Sequence, residues 1–405
     1  MQSRILSAVI LTALSLPLQA TEQSWATWLM NTVERHPVMQ AYDYEQRAAQ
    51  FSAAAAAKPL YNPSLDTTLE REGNETNFQV GVSSEIDWWN VSGKLTEAGR
   101  LQAEQSRLQV SVATNDLLAE ILTAQVAAQV GRQAYQLAQL QVEQDLTLLK
   151  LTEEQLAAGE VNRTELAMAK AVVAQGMVAE NERLSQWLAA RKTLRALAGE
   201  QADETVINKA FWQRELVVPA SQQLLTLPWI KQARIDWLMA VAQADAQQAA
   251  TKPVPSLGLG VGRQAGESLV ALNLSVPLQW RNDFSEVVSA SRELALASEQ
   301  RLQARLIDTR EAVANLAERL QQIRRRYQQW QQLHDNEIAE QVAVLQHRYA
   351  QGDLALSDYQ WQVQQLRDGL QAGLTLQSQF QLTYIAFLHI TATLVQQVSS
   401  LSSEQ

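Results

Sequence analysis

The chain has 405 residues, is 46% apolar but only 6% aromatic, carries a net charge of −10 and contains no cysteine. Its wealth of Ala, Leu, Gln and Glu predicts long helices rather than a compact mixed core, although the length alone would allow two or three domains. The acidic balance excludes a nucleic-acid partner, and the missing cysteine excludes a disulfide framework, a thiolate metal site and a lipid-modified N-terminal cysteine.

Residues 1–20, "MQSRILSAVILTALSLPLQA", place Arg4 before an apolar run from Ile5 to Leu16 and end in Leu18-Gln19-Ala20. That order predicts a secretory signal peptide cut after Ala20, so the protein is expected to be exported. No later run approaches the roughly eighteen apolar residues of a transmembrane helix.

Residues 21–212 are read as a first structural unit. It opens on a helix carrying Pro37 in "HPVMQAYDYEQRAAQ" and reaches a segment of period two at 64–88. There Leu65, Thr67 and Leu69 oppose Asp66, Thr68 and Glu70. Past a polar turn, "EREGNET", Phe78, Val80, Val82, Ile86 and Trp88 oppose Gln79, Gly81, Ser83, Glu85 and Asp87. Alternation of this kind predicts a hairpin. No proline interrupts the chain between Pro63 and Pro219, which leaves Asn90–Ala157 free to form one helix of 68 residues, roughly 100 Å at 1.5 Å per residue. A turn at 159–164 follows, with Gly159 as a left-handed helix end and Asn162 as a cap for the next helix.

Residues 213–398 repeat the order. Pro228 answers to Pro37, Lys252-Pro253 to Lys58-Pro59, Trp280 to Trp88 and Gly352 to Gly159, all at offsets of 191 to 194 residues. A register held that long predicts a two-fold internal duplication. The second hairpin, 256–280, sets Leu257, Leu259 and Val261 against Gly258, Gly260 and Gly262. It then sets Val270, Leu272, Leu274, Val276 and Leu278 against Ala271, Asn273, Ser275 and Gln279. The second long helix is expected over Asp283–Ala350. Its stripe Leu302, Leu306, Thr309, Val313, Leu316, Leu320, Ile323, Tyr327, Trp330 steps by three and four, as a left-handed coiled coil requires. Arg324-Arg325-Arg326 within it reads as a solvated face. The second turn, 352–357, offers Ser357 as a cap, and 399–405 reads as a polar tail.

Each strand is close to the length that crosses a bilayer, and one face of each hairpin is apolar and ends in tryptophan, with Trp88, Trp89 and Trp280 suited to the membrane–water boundary. A soluble sandwich shows the same alternation but does not sprout helices of this length from its strands. Four strands cannot close a barrel, and an open edge cannot survive in lipid, so membrane-spanning hairpins require several copies of the chain, three or more rather than two. No nucleophile–His–acid set or phosphate loop is present, and His36, His334, His347 and His389 lie at no spacing that builds a metal site. Neither catalysis nor a cofactor is expected.

An exported chain with this two-fold repeat resembles the TolC-type outer membrane efflux proteins. The match is most specific in the two openings "HP…QAYDYEQRAAQ" and "LP…KQARIDWLMAVAQ" and in the two Gly-x-x-x-x-[Thr/Ser]-[Glu/Asp] turns. The resemblance implies a mainly α fold with a membrane β-barrel: a homotrimer whose twelve-stranded barrel in the outer membrane of a Gram-negative bacterium continues as an α-helical barrel through the periplasm. It implies a passive exit duct served by a periplasmic adaptor and an inner-membrane pump, of the RND type. In that family the turns are the tips where the adaptor docks, which makes Gly159, Asn162, Thr164, Gly352 and Ser357 candidate docking residues. Asp358, with Glu165 as its repeat partner, falls where the family places a constricting acid; a second acid found in some members one turn on is Trp361 here. The short loops and missing lipid anchor look like the heavy-metal or other cation branch, with drug or type I protein secretion ducts as alternatives. A periplasmic coiled-coil scaffold or adaptor without a barrel is the rival of another class.

Overall fold

The computed structural model describes residues 20–403 apart from 74, 204–205 and 334–337. The expected signal peptide therefore lies outside the described residues except for Ala20, the first residue of α1 (Ala20–Arg35). Helix α2 (Pro37–Ala56) starts on a proline whose missing N–H costs nothing there, with the His36 side chain accepting from Val38 N at 3.3 Å.

Two strands follow, β1 (Ser64–Glu72) and β2 (Glu75–Glu85), then α3 (Val91–Ala158) of 68 residues and α4 (Arg163–Ala198), which folds back along it. After a 3-10 turn at Glu200–Asp203 come the short α5 (Lys209–Gln213) and α6 (Ser221–Leu224), then α7 (Pro228–Ala250). The strands β3 (Ser256–Gln264) and β4 (Glu267–Ser275) lead into α8 (Ser285–Leu333), α9 (Ile338–Ala350), α10 (Leu356–Ile390) and α11 (Leu394–Ser403). Helix, hairpin, long helix, turn and helix thus occur in that order from α2 to α4 and again from α7 to α10. The second long helix is described in two stretches on either side of 334–337. The residues read as a polar tail are helical as far as Ser403, with Leu401 against the core.

The four strands form one antiparallel sheet in the order β1-β2-β3-β4. Its register aligns the two faces. Leu65, Val82, Leu259 and Leu272 fall in one cross-strand row and Thr67, Val80, Val261 and Val270 in the next. The opposite face carries the row Asp66, Gly81, Gly260, Ala271 and the row Ser64, Ser83, Gly258, Asn273. The apolar rows are exposed to the surroundings rather than packed on the helices. The first hairpin turns more tightly than the polar run "EREGNET" predicts, because Arg71 pairs with Thr76 and Glu72 with Glu75, leaving Gly73 at φ 62° in the turn. The ladders also stop short of the tryptophans. Beyond β4, Pro277 has no N–H to donate.

The largest core lies where α1, α3, α5, α7, α8, α10 and α11 meet, around Trp25, Leu118, Phe211, Tyr384 and Phe387. Phe211 sits edge-on to Trp25 at 5.6 Å and to Tyr384 at 5.5 Å, and the Tyr384 hydroxyl donates to its carbonyl at 2.8 Å. Burial pushes the Tyr384 phenol up to about 12, against the nearby charges of Arg324 and Arg214, so it stays a donor at working pH. The described residues of the segment 202–222, which periodicity left undefined, are thereby tied to the core through Ala202, Ile207 and Phe211. The coiled-coil stripe of α8 lies on this core, with Thr309, Val313 and Leu320 buried. Arg324 departs from the expected solvated face. Its guanidinium lies over Phe380 at 5.6 Å and points Nη2 at the carbonyls of Trp212 and Arg214, which cover that side of α8.

Candidate functional site

The two helix–turn–helix ends carry the densest set of residues singled out from the sequence. At the first, Gly159 takes φ 81° and its N–H reaches the Leu156 carbonyl at 3.1 Å, while Glu160 N reaches Gln155 O at 2.9 Å. This double bond pattern is a Schellman closure, which needs the left-handed residue that glycine supplies without strain. Asn162 then caps α4: its Oδ1 accepts from Thr164 N at 2.8 Å and Glu165 N at 3.0 Å, and Glu165 returns a carboxylate oxygen to Asn162 N at 2.9 Å. Glu165 is therefore occupied in a capping box.

The second end repeats the first closure. Gly352, at φ 76°, bonds to Tyr349 O at 3.0 Å, and Asp353 N bonds to Arg348 O at 3.0 Å. The next helix begins differently. Its cap residue is Ala355, with no side-chain cap, and Ser357 stands inside the first turn, so the expectation that Ser357 caps α10 is corrected. The buried Leu356 explains the shift: it anchors the first residue of α10 in the apolar cluster below and draws the helix start one residue past Ala355. Asp358 is exposed in that first turn, where a carboxylate favours the helix dipole. Trp361 is exposed.

Beneath the turns the two ends are joined. Leu148 of α3 packs with Leu345, Tyr349, Leu356, Tyr359 and Val363. The Thr152 and Tyr349 hydroxyls lie 3.2 Å apart. Burial pushes the Tyr349 phenol up, the hydrogen bond with Thr152 works against that rise, and the Glu165 charge adds to it. One step further in, Arg367 of α10 holds Asp145 of α3 through contacts of 2.8 and 3.3 Å, with side-chain exposures of only 12% and 7%. A Cβ on Gly176 of α4 would come within 3.2 Å of that carboxylate, so the glycine makes room for it. Burial pushes the Asp145 carboxyl up; the hydrogen bonds and charge of Arg367 pull it down without fully offsetting that rise.

Sequence reading missed Asp145, Arg367, Thr152 and Tyr349. A signal existed for the first: Val142, Asp145, Leu148, Thr152 and Gln155 are all buried at steps of three and four, so a carboxylate stands on a packing seam. A charge there requires a partner.

At the other end of the molecule, Trp88 and Trp280 are 69% and 80% exposed just past the strands, and Trp89 is pinned by its indole N–H to Pro253 O at 2.8 Å. The histidines stay apart. His347 contacts Gln351 at 3.0 Å, His389 contacts Asp116 at 2.6 Å, and His334 lies outside the described residues. Among the described residues no group of three His, Asp or Glu could hold a metal ion, and no helix is long and apolar enough to cross a membrane.

Residues 28–200 match the model of a family described as outer membrane efflux protein. Among solved structures, CusC, described as forming a transmembrane channel, is 16% identical with a TM-score of 0.74, over 94% of this chain and 95% of its own. The outer membrane channel CmeC of Campylobacter jejuni is 14% identical with a TM-score of 0.76, over 99% and 98%. The outer membrane protein VceC of Vibrio cholerae is 15% identical with a TM-score of 0.73, over 92% and 97%. These likenesses extend the shared fold over nearly the whole chain. No curated protein matches the chain.

Proposed function

We propose that the chain is a member of the outer membrane efflux protein family, whose model matches residues 28–200, and that it is the passive exit duct of a tripartite export system. The observation that carries this reading is the sheet. Its register collects Leu, Val and Phe on one exposed face, and mostly polar residues and glycine, with Leu269 and Ala271 of β4, on the other. Both outer strands, β1 and β4, have an unpaired edge within the chain. An apolar face of this kind suits lipid, and lipid tolerates no open edge. Three copies would supply twelve strands and a wet lumen. We read the chain as two copies of one unit, 21–212 and 213–398, so that each subunit adds two hairpins to the barrel and two helical hairpins to the periplasmic tube.

The tip turns are the docking face for a periplasmic adaptor, with Gly159, Asn162, Thr164, Gly352 and Ser357 at its surface, and an RND-type inner-membrane pump delivers the cargo. Docking would splay the hairpins and separate Asp145 from Arg367; no covalent chemistry is involved. Asp358 and Glu165 set the charge of the closed tip. We read the cargo as heavy-metal or other cations rather than drugs or secreted protein. Besides Asp358, the face of the sheet opposite the apolar rows supports this. It bears Asp66, Glu70, Glu85 and Glu267, while the two arginines of the strands, Arg71 and Arg263, stand on the apolar side.

The test is heat-modifiable gel migration of the protein in purified outer membranes, with and without cross-linking. A heat-sensitive species that cross-links to a trimer is expected. Release by a salt wash as monomer or dimer would replace the duct with a periplasmic coiled-coil scaffold.

A further inference from the structure

At the foot of the sheet, where the strands hand over to helices, the structure collects cations beside the exposed tryptophans. The Lys252 ammonium lies over the Trp89 ring at 4.4 Å, and that ring is fixed by its bond to Pro253 O. The Arg281 guanidinium lies over Trp280 at 5.3 Å. Lys58, the counterpart of Lys252 in the run that leads into the first hairpin, is also exposed. A cation stacked on an indole keeps its full charge and its outward N–H donors while losing freedom of its stem. Lys252 and Arg281 are therefore held in place and open to a ligand.

The acids of this zone are engaged elsewhere. Asp87 accepts from Val91 N at 2.6 Å, from Ser92 N at 2.8 Å and from the Ser92 hydroxyl at 2.5 Å, which starts α3. Asp283 accepts from the backbone and hydroxyl of Ser285 at 3.1 and 2.8 Å, which starts α8. Asp245 pairs with Lys94 at 3.2 Å. Glu85 points to the polar face of the sheet. These carboxylates keep their charge, but each faces another partner or the polar side of the sheet, which leaves the outward N–H donors of Lys252 and Arg281 available on a chain of net charge −10.

Tryptophan settles at the headgroup level of a bilayer, and cations there meet lipid phosphates. We propose that Lys58, Lys252 and Arg281 form an anionic-lipid site at the periplasmic rim of the barrel, recognising the phosphodiester of inner-leaflet phospholipids. The occupant is a membrane lipid rather than a soluble phosphate, because the cations sit beside exposed indoles and directly below the apolar rows. The site rests on the duct reading above.

The experiment reconstitutes the protein in phosphatidylcholine vesicles with and without phosphatidylglycerol and reads the temperature at which half of the oligomer dissociates. Phosphatidylglycerol should raise it by several degrees, inorganic phosphate should not, and molar salt should abolish the gain. The triple variant K58Q/K252Q/R281Q should dissociate at the same temperature in both lipids. An oligomer indifferent to phosphatidylglycerol, or a gain that survives in the triple variant or in molar salt, overturns the lipid site while leaving the duct intact. Failure to form any heat-resistant oligomer in either lipid overturns both. The salt dependence of the unaltered protein decides the matter should the triple variant not assemble.

Discussion

At Gly352 the backbone stands at φ 76°, and a Cβ built there meets no atom within 4 Å. The cost of an alanine is then backbone strain alone, about 1–2 kcal/mol for a side chain in the left-handed region. Gly352→Ala should lower stability by that amount in a denaturant titration followed by helical circular dichroism; a neutral outcome would mean the turn can close without the left-handed residue. Asp203 carries a second residue-scale expectation. Burial pushes its carboxyl up, but hydrogen bonds and charge from Arg195 and Arg191, at 2.5 and 2.7 Å, outweigh that and leave it below the ordinary value. A lowered carboxyl stabilises above the unfolded value near pH 4 and loses that contribution as pH falls through the folded value. Asp203→Asn should therefore melt earlier at pH 7 and lose less than the unaltered protein between about pH 5 and pH 3. The Gly159 closure and the Asn162 cap were legible because each is written within five residues of chain. Ser357 misled because Leu356, through a contact with distant α3, chose where α10 begins.

Between elements, Asp145 and Arg367 bind α3 to α10 from positions 222 residues apart. Removing one partner of a buried pair strands the other charge, typically at about 3 kcal/mol or more. Asp145→Ala and Arg367→Ala should each destabilise by about that much, and the double variant by clearly less than their sum. Strict additivity in the double-mutant cycle would show that the two do not act as a pair. The same scale explains what periodicity could and could not supply. The stripe of α8 was readable as a seam, yet nothing local says that Arg324 faces protein rather than water. That depends on Trp212, Arg214 and Phe380, which come from two other elements.

For the whole molecule, the two faces of the sheet make opposite demands. Leu272 lies in an apolar row and its neighbour Asn273 in a polar one. A cation on the lipid face of a barrel costs about 2–4 kcal/mol near the midplane and far less on the lumen side. Leu272→Arg should deplete heat-resistant oligomer in purified outer membranes, while Asn273→Arg should assemble normally. Equal behaviour of the two would remove the sidedness on which the barrel reading stands.

The sequence by itself determined the elements and their order: long helices from proline-free runs, strands from period two, turns from glycine and asparagine. Each of these is set by neighbours a few residues apart. Tertiary structure alone decided that Phe211 and its neighbours pack into the core against Trp25 and Tyr384, that the sheet runs β1-β2-β3-β4 through a β2–β3 pairing, and that Asp145 meets Arg367. Such contacts join chain segments more than a hundred residues apart, and their free energy comes from burial and charge pairing that exist only once the helices have packed.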